Sequence, residues 1–213
     1  RERNPQAWCG GVRGVIETAM HGHPAGYADF TVASDHSHHF AEDIALVAKM
    51  GLKAYRFSIA WTRILPQDTG EVNPAGVEHY RAVIAECRKY GIEPVVTMYH
   101  FDLPWRLEQQ GGWLNRATID AFENYARVLF TEYGGEVKYW LTINEQNTMI
   151  LHPGAIGLPK GGQLPSRKDL YQLNHHMMLA QARVMKLFHA SFQQATHGPA
   201  RHMTAMSPQT CRP

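Results

Sequence analysis

Residues 138–150 read KYWLTINEQNTMI: a run of β-formers ends abruptly in Asn144 and Glu145, a carboxylate with no basic residue beside it. A carboxylate at the mouth of an apolar strand costs free energy unless something there uses it. Desolvation by the strands beneath would raise its pKa toward neutrality and suit it to general acid catalysis. The structural alternative is a surface Glu capping the helix that follows. Asn144 offers a donor and an acceptor, which suits a hydroxyl-rich ligand or, equally, a turn. His100, in YHFDLPW, stands between a β-rich run and a Pro-bearing loop, where it could hydrogen-bond a ligand or serve the fold. Arg56 lies inside the strand-like run KAYRFSI, so it must pair with a buried carboxylate or face a polar centre, and an acidic partner is implied. Trp61, Phe101, Trp105, Trp113 and Trp140 fall near the same strand ends, where an aromatic ring could stack on a sugar face, though most are core by default.

The elements that must position these groups follow from periodicity. Asp35 caps a helix with the stripe Phe40, Ile44, Val47 and Ala48, stopped at Gly51, and a strand spans 53–59. Asn73-Pro74 opens a helix with Val77, Tyr80, Ile84 and Cys87 on one face, closed by Gly91, and a strand covers 93–100. A helix over 117–133 turns Phe122, Ala126, Leu129 and Phe130 inward, stops at Gly134-Gly135, and leads into the strand before Glu145. Ser166 and Asp169 form a capping box for a helix running to about residue 192, and a further strand is expected over 200–206.

Strands thus recur roughly every forty residues with a helix between each pair, the pattern of parallel β/α units. An open dinucleotide-binding sheet requires G-x-G-x-x-G after its first strand, and CGGVRG at 9–14 lacks that spacing. A (β/α)8 barrel accounts better for polar groups delivered at the C-terminal ends of successive strands.

The 213 residues carry 21 Lys and Arg against 19 Asp and Glu, with no basic run or stripe, so neither nucleic acid nor an anionic membrane is an expected partner. Cys9, Cys87 and Cys211 are odd in number and widely spaced, which fits a reducing compartment better than a disulfide framework. With no apolar run of about eighteen residues and no charged-then-apolar N-terminal pattern, a cytoplasmic location is expected. DHSHH at 35–39 and NHH at 174–176 lack metal-site spacing, a P-loop and a nucleophile elbow are absent, and no metal or cofactor is expected.

YRFSIAWTRILP (55–66), GIEPVVTMYHFDLPWRL (91–107), GGWLN (111–115) and YWLTINEQN (139–147) resemble successive signatures of glycoside hydrolase family 1, the β-glucosidases and 6-phospho-β-glucosidases. ASDHSHHFAEDIALVAKMG, and Gln146 where many plain β-glucosidases have Pro, resemble the bacterial 6-phospho members more closely. The resemblance implies a retaining β-glycosidase of carbohydrate catabolism, acting on 6-phospho-β-glucosides or β-glucosides. Glu145 would be the acid/base, Asn144 the contact to the sugar 2-hydroxyl, His100 the contact near the 3-hydroxyl, and Arg56 the residue positioning the nucleophile. The family's Thr/Ser-Glu-Asn-Gly nucleophile motif and its Gln-x-Glu-Gly sugar contact do not occur in the chain. Residues 1–213 are therefore expected to form one partial (β/α)8 catalytic domain holding about strands two to five, inactive by itself. The alternative is a catalytically inactive product that binds sugar or completes its sheet with a partner chain, with an oligomer possible.

Overall fold

The structure, a computed structural model, describes residues 34–67, 70–153, 165–191 and 196–200. Cys9, Cys211, the 9–14 stretch and positions 201–206 of the expected last strand lie outside them.

Four strands, β1 (Ala54–Ser58), β2 (Glu93–Tyr99), β3 (Tyr139–Asn144) and β4 (Thr196–Ala200), form one parallel sheet in the order of the sequence. A parallel neighbour demands a crossover, and the helices supply it. α1 (His36–Lys49) precedes β1; α2 (Trp61–Ile64) and α3 (Pro74–Lys89) connect β1 to β2. α4 (Trp105–Gln109), a 3₁₀ turn (Gly112–Leu114) and α5 (Ala117–Tyr133) connect β2 to β3; α6 (Thr148–Leu151) and α7 (Arg167–Ser191) connect β3 to β4. The last strand pairs with β3 from Thr196, ahead of the expected 200–206 stretch, of which Ala200 alone lies among the described residues. Strand pairing overrides the weak β-propensity of His197-Gly198-Pro199.

Helix signals translate into contacts. The Asn73 side chain accepts from the Ala75 N–H at 3.2 Å with Pro74 at the first helical position, and Val77, Tyr80, Ile84 and Cys87 are all buried. Phe122, Ala126, Leu129 and Phe130 are likewise buried along α5, and Ser166 accepts from the Asp169 N–H at 3.1 Å. Asp169 does not reach back to the backbone; its carboxylate takes the Ser166 hydroxyl at 2.7 Å. Asp35 occupies the N-cap of α1, but its carboxylate bonds the His38 ring in place of a backbone N–H.

One core cluster lies between the sheet and α3, α5 and α7, and a smaller one of Ile44, Val83, Cys87 and Ile92 joins α1 to α3. Trp61, Trp113 and Trp140 belong to the larger cluster, which removes them as sugar platforms: Trp61 stacks on Tyr125 at 4.9 Å and Trp140 meets Phe130 edge-on at 5.3 Å. Trp105 is exposed and Phe101 half-buried. Among the described residues no helix is long and apolar enough to cross a membrane, and no group of three or more His, Cys, Asp or Glu is placed to share a metal ion. His36 bonds Asp43 at 2.6 Å, and buried His176 bonds the Trp113 carbonyl at 2.8 Å.

Candidate active site

Because all four strands are parallel, their C-terminal ends share one edge, and Ser58, His100, Asn144 and Glu145 arrive there together. Arg56 sits two residues before the end of β1, on the face that carries Ser58 by strand alternation. Ser58 pairs with Thr97, so Arg56, Ser58 and Thr97 share that face.

Among the described residues the hydrogen-bond partners of Arg56 are neutral, and of the two arrangements the sequence left open it takes the polar centre. It is exposed on the open face of the sheet; its Nε donates to the Thr97 hydroxyl at 3.0 Å and its Nη2 to Asn144 Oδ1 at 2.6 Å. The guanidinium thus lies across three strands and keeps its charge in contact with solvent, the polar-centre arrangement. Strict alternation from Leu141 would turn Asn144 to the helix side, where Thr142 takes a 2.9 Å bond from Gln181. A register shift between Leu141 and Asn144 breaks the alternation, and the buried Asn144 faces Arg56 instead. With Oδ1 taken by Arg56, its Nδ2 is the amide's donor side.

Glu145 follows at φ 39, a left-handed conformation costly for a residue with a Cβ. Its carbonyl accepts from the Thr148 N–H at 2.8 Å and its half-buried carboxylate from the Thr148 hydroxyl at 3.3 Å. The N-cap of α6 is Asn147, so Glu145 is not spent on capping that helix. Phe101, just past β2, is also left-handed at φ 64. Two of three such non-glycine residues in the described chain therefore stand at strand ends of this edge.

His100 Nδ1 bonds Ser58 Oγ at 3.1 Å. Although His100 is exposed as a residue, partial burial of its ring and then the Arg56 guanidinium hold its pKa below the ordinary imidazole range, with the Glu145 carboxylate opposing. A neutral ring can donate or accept, and it lies within the electrostatic reach of both charged groups.

Sequence reasoning passed over Asp102. Its carboxylate is turned inward, accepting from the Trp61 N–H at 2.7 Å and the His100 N–H at 3.1 Å. Burial pushes its pKa up to about 6 against those two hydrogen bonds. The signal was present: Asp102 stands among Phe101, Leu103, Pro104 and Trp105 with no basic neighbour, the same anomaly that marks Glu145. Tyr125 is the second omission, since its buried hydroxyl serves the Ile59 and Met98 carbonyls at 2.9 and 3.0 Å.

The edge combines a half-exposed carboxylate, a cation, a neutral imidazole and an oriented amide, a set suited to a polyhydroxylated ligand and to proton transfer at Glu145. The family profile described as Glycosyl hydrolase family 1 matches residues 16–213. A 6-phospho-β-glucosidase of Dickeya chrysanthemi is 42% identical over 206 residues, covering 95% of this chain and 43% of that protein. An aryl-phospho-β-D-glucosidase of Bacillus subtilis is 40% identical over 183 residues, 85% of this chain and 38% of its own length. The chain thus spans about two fifths of the length of these relatives. A rice β-glucosidase mutant in a covalent complex with Glc superposes with a TM-score of 0.84 at 35% identity, over 93% of this chain and 45% of that chain. The parallel sheet and its helices are accordingly part of a (β/α)8 barrel.

Proposed function

Since the chain belongs to glycosyl hydrolase family 1, we propose that it carries the acid/base half of a retaining β-glycosidase. In this reading Glu145 protonates the glycosidic oxygen as the bond to the leaving group breaks, then deprotonates the water that releases the sugar. Asn144 donates through Nδ2 to the sugar 2-hydroxyl, and His100 bonds near the 3-hydroxyl. Arg56 faces the open side of the sheet, where its charge would hold the attacking carboxylate in place and ionised. Retention requires that second carboxylate about 5 Å from the first, forming and then losing a covalent bond to the anomeric carbon. No Thr/Ser-Glu-Asn-Gly motif occurs in these residues to supply it, so the chain by itself should turn over no glycoside.

The observation that carries this reading is the Arg56–Asn144 bond beside Glu145, which assembles one ligand-facing edge from residues far apart in sequence. Both phosphorylated and plain glucosides are named among the relatives' activities. Gln146 after Glu145 supports the 6-phospho class.

The test is to sequence the DNA on both sides of the reading frame. A continuous frame with a Glu-Asn-Gly motif downstream supports the glycosidase, and its product should hydrolyse 4-nitrophenyl 6-phospho-β-glucoside until Glu145→Gln is introduced. Start and stop codons bounding these residues would withdraw hydrolysis in favour of sugar binding or completion of the sheet by a partner chain, which concentration-dependent oligomerisation would reveal.

A further inference from the structure

Beyond the ends of β1 and β2 the hydrogen-bond ladder between them stops: the last rung is the Ile59 N–H to the Thr97 carbonyl at 3.0 Å. From there the two chains diverge into α2 and into the loop toward α4, and two side chains cross-link them. Tyr125, from beneath, bonds the Ile59 and Met98 carbonyls. Asp102, from above, takes the Trp61 and His100 amides on its two oxygens.

We propose that Asp102 is a positioning residue for His100, hanging the His100 backbone from the Trp61 amide and so fixing where the imidazole stands on the ligand-facing edge. The proposal rests on the reading of that edge as a sugar site.

Three features make the anchor directional. The Trp61 ring is fully buried and lies nearly parallel to Tyr125, with 6° between the planes, so its amide is a fixed donor. Phe101 at φ 64 folds the chain back so that Asp102 reaches the amide two residues earlier. Ser58 then holds the imidazole at Nδ1, so His100 is tied to the β1 side through both backbone and ring. The arrangement needs two acceptors on one short side chain, which Asp alone provides; Asn would set an N–H against an N–H at one of the two positions. The groups facing Asp102 are Tyr80 on α3, Tyr99 on β2 and Tyr125 on α5, and those acting on His100 are Arg56 and Glu145.

The experiment is a proton NMR titration of His100 in the 213-residue chain, comparing the unaltered protein with Asp102→Asn and Asp102→Glu. With Asp102→Asn the His100 pKa should climb toward that of a free imidazole and its ring signals should move, while the ring-current-shifted signals of the Trp61–Tyr125 stack stay in place. Asp102→Glu, which keeps two acceptors, should restore part of the shift. An unchanged His100 titration in Asp102→Asn, or one that changes only together with loss of the Trp61–Tyr125 signals, overturns the proposal. If Asp102→Asn does not fold, Asp102→Ala, which removes both acceptors, is judged by the same criterion. Adding methyl β-glucoside or glucose 6-phosphate to the unaltered chain separates the two readings: no sugar-induced shift at His100 counts against the sugar site, whereas the Asp102 comparison stands or falls without sugar.

Discussion

Arg56 and Asn144 stand 88 positions apart in the chain, and the guanidinium of one donates to the amide oxygen of the other at 2.6 Å. The bond spans β1 to β3, with Thr97 of β2 accepting in between. It orients Asn144 beside Glu145 while the charge of Arg56 remains accessible from the open face.

Arg56→Lys should therefore separate stability from ligand recognition. A lysine keeps the charge but loses the fork that serves Thr97 and Asn144 at once. Because Arg56 is exposed, the stability cost should be about 1 kcal/mol or less by urea denaturation. Sugar-induced NMR shifts of the Asn144 side-chain amide should be lost. A cost of several kcal/mol with those shifts retained would make Arg56 a structural pin instead.

Tyr125→Phe should act in the opposite sense, on stability first. The hydroxyl is buried and serves two carbonyls, Ile59 and Met98, which nothing else is seen to satisfy from α5. Leaving buried acceptors short of a donor costs about 1–3 kcal/mol. The check is equilibrium urea unfolding; a change within error would mean that water or a neighbouring group replaces the hydroxyl.

Much of this arrangement could be read from the residues themselves. Helix stripes and stops are local signals, so α1, α3, α5, α7 and the strands before His100 and Glu145 fall where periodicity and Gly, Asn-Pro and Ser-x-x-Asp punctuation place them. The same logic brought Arg56, His100, Asn144 and Glu145 to one edge. What was not legible was partnership across strands. An Arg in a strand signals a polar requirement, but a neutral pair on β2 and β3 meets it as well as a carboxylate, and only the sheet register tells which. The tryptophans could not be told apart for a related reason: nearness to a strand end in sequence does not say which face a ring takes, and three of them fill the core, the default for such rings. Asp102 left the signal of a carboxylate among apolar residues, but its partners are backbone amides, which residue types do not name.

Gly76→Ala tests the close contact that sets α3 against α2. A methyl group on Gly76 would collide with the Arg63 carbonyl, which is backbone and cannot swing aside. Asn73 already donates to that carbonyl at 2.9 Å, so moving it also strains the helix cap. Overpacking of this kind costs roughly 1–3 kcal/mol, outweighing the gain of up to ~1 kcal/mol from replacing Gly by Ala in a helix. Thermal unfolding should show a clear loss; a rise in Tm would mean that the helices separate without penalty.

Asp102 gives the fold a pH dependence whose sign is opposite to that of an ordinary ion-paired carboxylate. Its folded-state pKa, about 6, lies above the 3.8 of an ordinary Asp carboxyl, so the native state binds the proton more tightly than the unfolded chain. Its contribution to stability is fully present below the unfolded pKa and is lost as pH rises through about 6. A difference of that size corresponds to on the order of 3 kcal/mol across this interval. His79 and His100, both held below the usual imidazole range by burial first, act the other way, losing stability as pH falls through their own titrations. The net curve therefore mixes contributions, and subtraction of the Asp102→Asn curve gives the Asp102 part together with any change at His100, which the NMR titration reads separately. Urea unfolding of the unaltered chain and of Asp102→Asn between pH 4 and 7 should show the variant gaining relative stability as pH rises, with the difference levelling off above the Asp102 titration. Parallel curves would show that Asp102 stays ionised in the native state throughout, and that two backbone amides suffice to hold a buried charge.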